Sequence, residues 1–224
     1  MTKESKKIYE VLYLEIVTMH LKPGSVLKEI EVAERFNVSR TPIRDVFKKL
    51  EADELLTIKS QKGSYVSKID LSDISDIMYI RTKIEYSVLS ELIKVVTPGD
   101  IAEYRMVLLE QKNLLERDLS EEELADKFFI LDNIFHSKMY ASAGKESLLN
   151  LLNNSWPNYT RFRSLTFRRN KNRIEMLYNI HKELVDAIEA KEVARLEDVV
   201  QRHNFSGLVG IDEVKRKHTD YFAE

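Results

Sequence analysis

Glycine and proline are scarce in this chain, and their positions divide it into long segments without helix breakers. Only 6 Gly and 4 Pro occur among 224 residues, and both residue types interrupt helices. Between them apolar residues recur at helical spacing, as Ile8, Leu12 and Ile16 do near the N-terminus. The sequence therefore predicts a mostly α protein, in which Pro157 starts or kinks a helix. The predicted helices span residues 5–20, 29–36, 39–52, 72–96, 99–117, 120–142, 146–169, 171–190 and 192–216.

A different pattern follows the third predicted helix. Residues 56–67 alternate apolar and polar side chains on either side of Gly63, which is typical of a β-hairpin. Three helices followed by a hairpin is the order of a winged helix-turn-helix. We therefore expect two domains, a winged helix-turn-helix at residues 1–69 and an all-α antiparallel helical bundle at residues 70–224, whose first helix Ser72 caps.

Charge is unevenly distributed along the chain. Residues 1–69 carry 13 Lys and Arg against 10 Asp and Glu, a net charge of +3, and the remainder carries 22 against 27, a net charge of −5. A net positive charge in the N-terminal region favours DNA contact by that region of the protein. The chain has no Cys, no apolar run near the roughly 18 residues that a membrane helix needs, and a polar N-terminus unlike a signal peptide. We therefore expect a cytoplasmic protein without disulfides.

The helix that begins at Ser39 is the predicted recognition helix. Arg40 and Arg44 lie four residues apart and share one helix face, which Lys48 continues. Arginines at this place can donate to phosphates or to guanine O6 and N7. Ser39 and Thr41 could donate to phosphates near the positive end of the helix dipole. The alternative is that these residues form an ordinary solvated face.

The string at residues 21–45, LKPGSVLKEIEVAERFNVSRTPIRD, resembles the signature of the GntR superfamily of transcriptional regulators. That signature has a PG turn, then an L-x-E-x-x-x-A helix and a V-S-R-T-P-I/V-R recognition segment. The later KGSYV at residues 62–66 matches the wing of the family. The resemblance covers about residues 8–68 and implies that Arg40 and Arg44 read DNA.

Four further positions bear on DNA contact. Lys62, at the tip of the predicted wing, could reach the minor groove or the backbone, and Gly63 permits close approach. Where some family members carry another arginine, this chain has Ile30, so that contact is either lost or supplied by Lys28. The resemblance therefore does not define the operator sequence.

Ionisable residues occupy core-facing positions in three of the later predicted helices. Asp132 and His136 lie four residues apart on one helix, and His181 and His203 interrupt apolar stripes on two others. If the turn between those two helices falls near Lys191, the two histidines lie opposite each other in an antiparallel pair. One carboxylate and three imidazoles suit a divalent transition metal such as Zn²⁺, Ni²⁺ or Mn²⁺. The alternative is that each His is hydrogen-bonded in the core or exposed.

Arg81 also lies on the apolar stripe of its predicted helix. A buried arginine requires a carboxylate, and the partner is either Glu85, one turn later, or an anionic ligand. Tyr159, Arg161 and Arg163 could line the same cavity as effector-binding residues, or could equally lie on the surface.

These positions match a second family pattern. Residues 72–215 resemble the FCD domain, the C-terminal half of FadR-type GntR regulators, and six predicted helices resemble its VanR-type subgroup. The matching features are Arg81-x3-Glu85, Asp132-x2-Phe135-His136, His181-x6-Ile188 and His203. The resemblance implies that the Asp and the three His bind a metal that helps to hold a carboxylate effector. Lys145, Glu146 and Asn204 depart from the family pattern and leave the effector undefined.

Together these features predict a homodimer on pseudo-palindromic operator DNA, and a regulator rather than an enzyme. A small organic acid would bridge the metal and Arg81 and shift the dimer between two geometries. Repression is the expected mode, with activation as its alternative. The metal could instead be the signal itself, or be structural while Arg81 pairs with Glu85. A metal-dependent hydrolase is a further alternative, although the sequence has no HExxH motif or nucleophile triad.

Overall fold

The computed structural model describes residues 1–60, 62–72, 74–168 and 171–223. Five residues lie outside the described ones: Gln61, Asp73, Arg169, Asn170 and Glu224. The first four lie in or next to the predicted hairpin and helices. The helices are α1 (Lys3–Val17), α2 (Glu29–Phe36), α3 (Arg40–Ala52), α4 (Ile74–Val95), α5 (Pro98–Leu115), α6 (Glu121–Ser142), α7 (Glu146–Ser155), α8 (Pro157–Phe167), α9 (Lys171–Glu189), α10 (Val193–Phe205) and α11 (Ile211–Lys217). The strands are β1 (Val26–Leu27), β2 (Leu56–Lys59) and β3 (Gly63–Val66).

Residues 1–74, 156–165 and 212–224 form one compact unit. Its strands make an antiparallel sheet in the order β1-β3-β2, and β2 and β3 are the predicted hairpin. The helices α1, α2 and α3 bury their apolar faces in one core with the sheet. This arrangement confirms the winged helix-turn-helix. The strand β1 was not predicted, because two residues carry no periodic signal.

The end of α2 sets the start of the recognition helix. Asn37 ends α2 in the left-handed conformation, with φ of 53°. Ser39 then occupies the N-cap position of α3 with an extended backbone, but its side chain makes no capping hydrogen bond. The buried face of α3 consists of Ile43, Val46, Phe47 and Leu50. Its opposite face is therefore exposed.

Residues 75–155 and 166–211 form the second compact unit, which is helical throughout its regular structure. Both α5 and α6 begin with a capping box, Thr97 with Asp100 and Ser120 with Glu123. The helix α5 packs against α6 and α9, and α9 packs against α10. The helices α6, α9 and α10 thereby contribute to one apolar core.

Two predicted helices are divided in the structure. The helix expected at 146–169 is two helices, α7 and α8, because Pro157 has no N–H with which to continue α7. The helix expected at 192–216 ends at Phe205, and a 3₁₀ turn and Gly210, with φ of 73°, precede α11. The expected count of six helices after residue 70 is therefore wrong for the described residues, and it no longer favours the VanR-type subgroup. Ser72 lies two residues before α4 and donates to Asp70 Oδ1 at 2.7 Å.

None of the described helices combines the length and the apolar character that crossing a membrane requires.

Candidate DNA-reading surface and metal centre

The first turns of α3 present two arginines side by side. One carboxylate oxygen, Glu29 Oε2, accepts from Arg40 Nη2 at 2.7 Å and from Arg44 Nε at 3.1 Å. Partial burial alone would raise the pKa of Glu29, but the two guanidinium groups lower it. Both arginine side chains remain about half exposed, at 52% and 57%. Glu29 therefore holds the two guanidinium groups together on the exposed face of the recognition helix.

The other predicted DNA-contacting residues are also exposed in this unit. Ser39, Thr41 and Lys48 lie on α3 or at its cap, and Lys62 and Gly63 form the end of the wing turn. Gly63 has φ of 112°, a conformation that favours glycine. The sequence did not single out Glu29 beyond its place in the L-x-E-x-x-x-A pattern. Its position eleven residues before Arg40 gives no local signal of their contact.

The four predicted metal ligands converge within the second unit. Asp132 and His136 come from α6, His181 from α9 and His203 from α10. The Nε2 atoms of His181 and His203 are 3.2 Å apart, and Asp132 Oδ1 lies 3.3 Å from His181 Nε2 and 3.9 Å from His136 Nε2. One ligand atom from each residue lies within 4.8 Å of the others. The four side chains therefore meet in the core, as their core-facing positions on the predicted helices led us to expect.

The cluster is buried among aromatic rings. His181 is 0% exposed and stacks on Phe135, with ring centroids 4.4 Å apart, and Asp132 is 2% exposed. Burial lowers the pKa of His181, and it lowers that of His136 to about 3 against the opposing effects of Glu85 and Asp132. Both imidazoles are therefore neutral near pH 7, which is the form that binds metals.

The spacing of these atoms fits a metal ion. Ligands at the corners of a tetrahedron, about 2.0–2.1 Å from Zn²⁺, lie roughly 3.3 Å from one another. Two of the observed separations, 3.2 and 3.3 Å, are close to that value. Without a proton or a cation between them, several lone pairs would face each other in a buried site, which is unfavourable. The donor set and its geometry therefore suit a divalent transition metal.

Three further polar residues that sequence reasoning did not assign to the cluster adjoin it. Glu85 on α4 faces His136 and His203, and the Asn204 amide donates to Glu85 Oε2 at 2.7 Å. Burial alone would raise the pKa of Glu85, but His203, His136 and Asn204 lower it to about 2. Gln111, fully buried on α5, lies 3.1 Å from His181 Nδ1. A polar residue in the otherwise apolar buried stripe of α5 is the signal that could have found Gln111.

The residues predicted to bind an effector fall into different units. Arg81, on α4 of the second unit, is partly buried and donates to the Leu152 carbonyl at 3.3 Å. Tyr159, Arg161 and Arg163 belong to the first unit, and the buried Arg161 donates to the Ser67 carbonyl. Burial lowers the pKa of Arg161 to about 10, so it stays charged near neutral pH. The contact with Ser67 gives Arg161 a role in holding the chain after β3.

Comparisons with known proteins agree with this combination of folds. Residues 4–66 match the bacterial regulatory proteins of the gntR family, and residues 76–205 match the FCD domain. The HTH-type transcriptional repressor RspR of Escherichia coli is 29% identical over 220 residues, which cover 98% of this chain and 94% of RspR. The gluconate operon transcriptional repressor of Bacillus subtilis is 26% identical over 187 residues, which cover 82% of this chain and 74% of the repressor.

Solved structures share the fold. Escherichia coli McbR/YncC superposes with a TM-score of 0.75 at 17% identity, covering 96% of this chain and 99% of that protein. A GntR regulator from a Rhodococcus species superposes with a TM-score of 0.72 at 19% identity. The superposition covers 95% of this chain and 99% of that protein. The family and the relatives are regulators and not enzymes, which removes the hydrolase alternative. The chain belongs to the GntR family of bacterial transcriptional regulators and carries an FCD domain.

Proposed function

We propose that this DNA-binding regulator is a cytoplasmic homodimeric repressor, in which residues 1–69 contact a pseudo-palindromic operator and residues 70–224 sense a small organic acid. The observation that carries the sensing half is the convergence of Asp132, His136, His181 and His203 on one buried point. The DNA-contacting residues of the proposal are Ser39, Arg40, Thr41, Arg44, Lys48, Lys62 and Gly63.

In this proposal the four convergent side chains hold one divalent transition ion, Zn²⁺, Ni²⁺ or Mn²⁺. Such an ion supplies positive charge that attracts an anionic ligand, because the imidazoles are neutral ligands and the Asp132 carboxylate cancels only one of its two charges. Arg81 would donate to the carboxylate of the effector. A relative named for a gluconate operon supports a sugar acid or a similar carboxylate as the effector.

Control of DNA binding requires that the effector favours one of two states. The acid would have to bind the DNA-incompetent geometry more tightly than the competent one, since equal affinity shifts nothing. Repression relieved by the acid is the mode we propose, and it is supported by relatives named as repressors.

The experiment begins with the operator. Immobilised full-length protein selects fragments from a genomic DNA library, and we expect the selected fragments to share an inverted repeat. Binding to one such fragment is then titrated with chelator-treated protein, with and without each metal, and with gluconate and related acids. We expect the acids to weaken binding only in the metal-loaded protein, and Arg81→Ala to abolish that response. Lys83→Ala, an exposed cation on the same helix, is the control.

Each other outcome has a defined meaning. If a metal alone produces the whole change in affinity and no acid adds to it, the metal itself is the signal. If Arg81→Ala retains the acid response, Arg81 is not the effector contact. If the acid response is retained without metal as well, the metal is structural. If neither metal nor acid alters operator binding, the sensing half of the proposal is wrong, although DNA binding is untouched.

A further inference from the structure

Glu85 is a buried carboxylate that faces two of the four metal-ligating residues without being one of them. It is 5% exposed, and its Oε1 lies 3.5 Å from His136 Nδ1 and 3.7 Å from His203 Nδ1. Its other oxygen, Oε2, accepts from the amide of Asn204. The contacts of Glu85 are therefore made to the outer nitrogens of the histidines, on the side away from the point where the ligand atoms meet.

We propose that Glu85 is a positioning residue that keeps the proton of His136 and of His203 on Nδ1, so that both Nε2 atoms are free for the metal. This proposal rests on the metal site proposed above. Gln111 does the same for His181 through its side-chain oxygen.

The proton count of an imidazole is the first argument. A neutral His carries its proton on one nitrogen and has a lone pair on the other, and the hydrogen bond at one nitrogen decides which. Three Nε2 atoms converge with Asp132, so three Nδ1–H groups need acceptors. The nearest oxygens are Gln111 Oε1, 3.1 Å from His181 Nδ1, and Glu85 Oε1, which faces the Nδ1 atoms of His136 and His203 at 3.5 Å and 3.7 Å.

The unsatisfied atoms of the site are the second argument. Glu85 Oε1 and His203 Nδ1 are both buried, and among the described residues neither has a hydrogen-bond partner. They face each other at 3.7 Å, which is too long for a hydrogen bond. A shift of roughly 1 Å would bring them to bonding distance near 2.8 Å. An unpaired buried polar group is costly. If metal binding at His203 Nε2 moves Nδ1 to within hydrogen-bond distance of Glu85 Oε1, the new hydrogen bond favours metal binding.

Asn204 gives Glu85 its orientation. The Asn204 amide donates both to Glu85 Oε2 at 2.7 Å and to the Val200 carbonyl at 3.2 Å, so its donor group is held by its own helix. Because Asn204 occupies Oε2, Oε1 is the oxygen left for the histidines. The residue that departs from the family pattern after the last His therefore has a role in this chain.

The same geometry predicts the effect of Glu85→Gln. Asn204 requires an acceptor at the Oε2 position, so the amide oxygen of Gln would face Asn204 and the NH₂ group would face the histidines. A donor there favours a lone pair on Nδ1 and moves the proton to Nε2, where it blocks metal binding. Glu91→Gln is the matched control, because Glu91 also lies on α4 but is exposed and pairs with Lys145.

Imidazole ¹⁵N chemical shifts of the metal-free, full-length protein give the direct test. We expect Nδ1–H tautomers for His136 and His203 in the wild type and in Glu91→Gln. In Glu85→Gln we expect His136 and His203, but not His181, to gain the Nε2–H form. Unchanged tautomers in Glu85→Gln would overturn the proposal. Because no metal is present, this readout is independent of whether the wild type binds one, which separates this proposal from the failure of the metal site.

Metal affinity is the second readout. Competition with a chelating indicator should show Zn²⁺ binding roughly 10–100-fold weaker in Glu85→Gln and unchanged in Glu91→Gln. At saturating Co²⁺ the visible spectrum should match that of the wild type, and an altered spectrum would mean that Glu85 is a direct ligand, contrary to the proposal. If Glu85→Gln does not fold, Glu85→Asp is measured instead. Its shorter side chain withdraws the carboxylate from both Nδ1 atoms, so His136 and His203 should gain the Nε2–H form, and unchanged tautomers would overturn the proposal.

Discussion

Asp132, His181 and Gln111 are polar residues at positions where the helix pattern directs side chains to the core. Each is at most 2% exposed, and each has a polar partner in the same cluster. Burying such groups singly would cost free energy, so their grouping is the informative feature. At the residue scale the sequence showed which side chains point inward, because that depends only on helical spacing. It did not show that Glu85 contacts His136, because that contact joins two helices separated by loop conformations that spacing does not encode.

Asp132→Asn tests the anionic ligand. The substitution keeps the size of the side chain but removes the charge that binds the cation. With Zn²⁺ at about 100 times its Kd, we expect the free energy of unfolding of the wild type to rise by about 2.7 kcal/mol, and that of Asp132→Asn to rise far less. Urea unfolding with Zn²⁺ and with a chelator measures the difference. Asp198→Asn, on the exposed face of α10, should respond like the wild type, and equal stabilisation of both variants would contradict the assignment.

Arg44→Ala tests the DNA-reading assignment. An arginine that donates two hydrogen bonds to one guanine contributes about 1–3 kcal/mol to discrimination against the wrong base. We therefore expect operator binding to weaken by roughly 5- to 150-fold. Fluorescence anisotropy with a selected operator fragment and with a scrambled fragment gives the measurement. Arg195→Ala, an exposed arginine that pairs with Glu192 in the FCD domain, is the control. If Arg44→Ala bound the operator as the wild type does, Arg44 would belong to an ordinary solvated face.

At the element scale, Pro157 was a more reliable signal than the predicted caps. It begins α8 by its effect on the backbone, whereas Ser39 makes no capping hydrogen bond and Ser72 lies two residues before α4. Residues 146–155 and 157–167 both continue a helical pattern, and only the missing N–H of the proline divides them. The end of α10 at Phe205 was missed, although Gly207 and Gly210, which follow it, are helix-breaking residues.

Asp100→Ala should destabilise the protein more than Glu123→Ala. Both carboxylates complete a capping box, but Asp100 Oδ1 also accepts from Ser142 Oγ at 2.6 Å, which ties the start of α5 to the end of α6. Loss of a cap costs about 1 kcal/mol, and the extra hydrogen bond adds about 0.5–1.5 kcal/mol. Chemical denaturation of the two variants compares them. Equal losses would show that the contact with Ser142 contributes nothing to stability.

At the scale of the whole molecule, the chain combines two compact units with different tasks. The GntR signature lies in a continuous stretch of residues 21–45, so the sequence carries it in full. The metal cluster is assembled from positions 132, 136, 181 and 203, so its geometry depends on the packing of three helices. Spacing predicted the members of the cluster but neither its distances nor the acceptors of its outer nitrogens. The contact of Arg161 with Ser67 was likewise not predicted, since it joins segments 94 residues apart.

The claim on which the sensing account rests is that four side chains hold one metal ion. Anomalous diffraction from crystals of the full-length protein grown with Zn²⁺, recorded above and below the zinc absorption edge, tests it most directly. The account predicts one strong anomalous peak per chain, about 2.0–2.1 Å from Asp132 Oδ1 and from the Nε2 atoms of His136, His181 and His203. A zinc-bearing crystal with its peaks only elsewhere, or with none between these four residues, would contradict it.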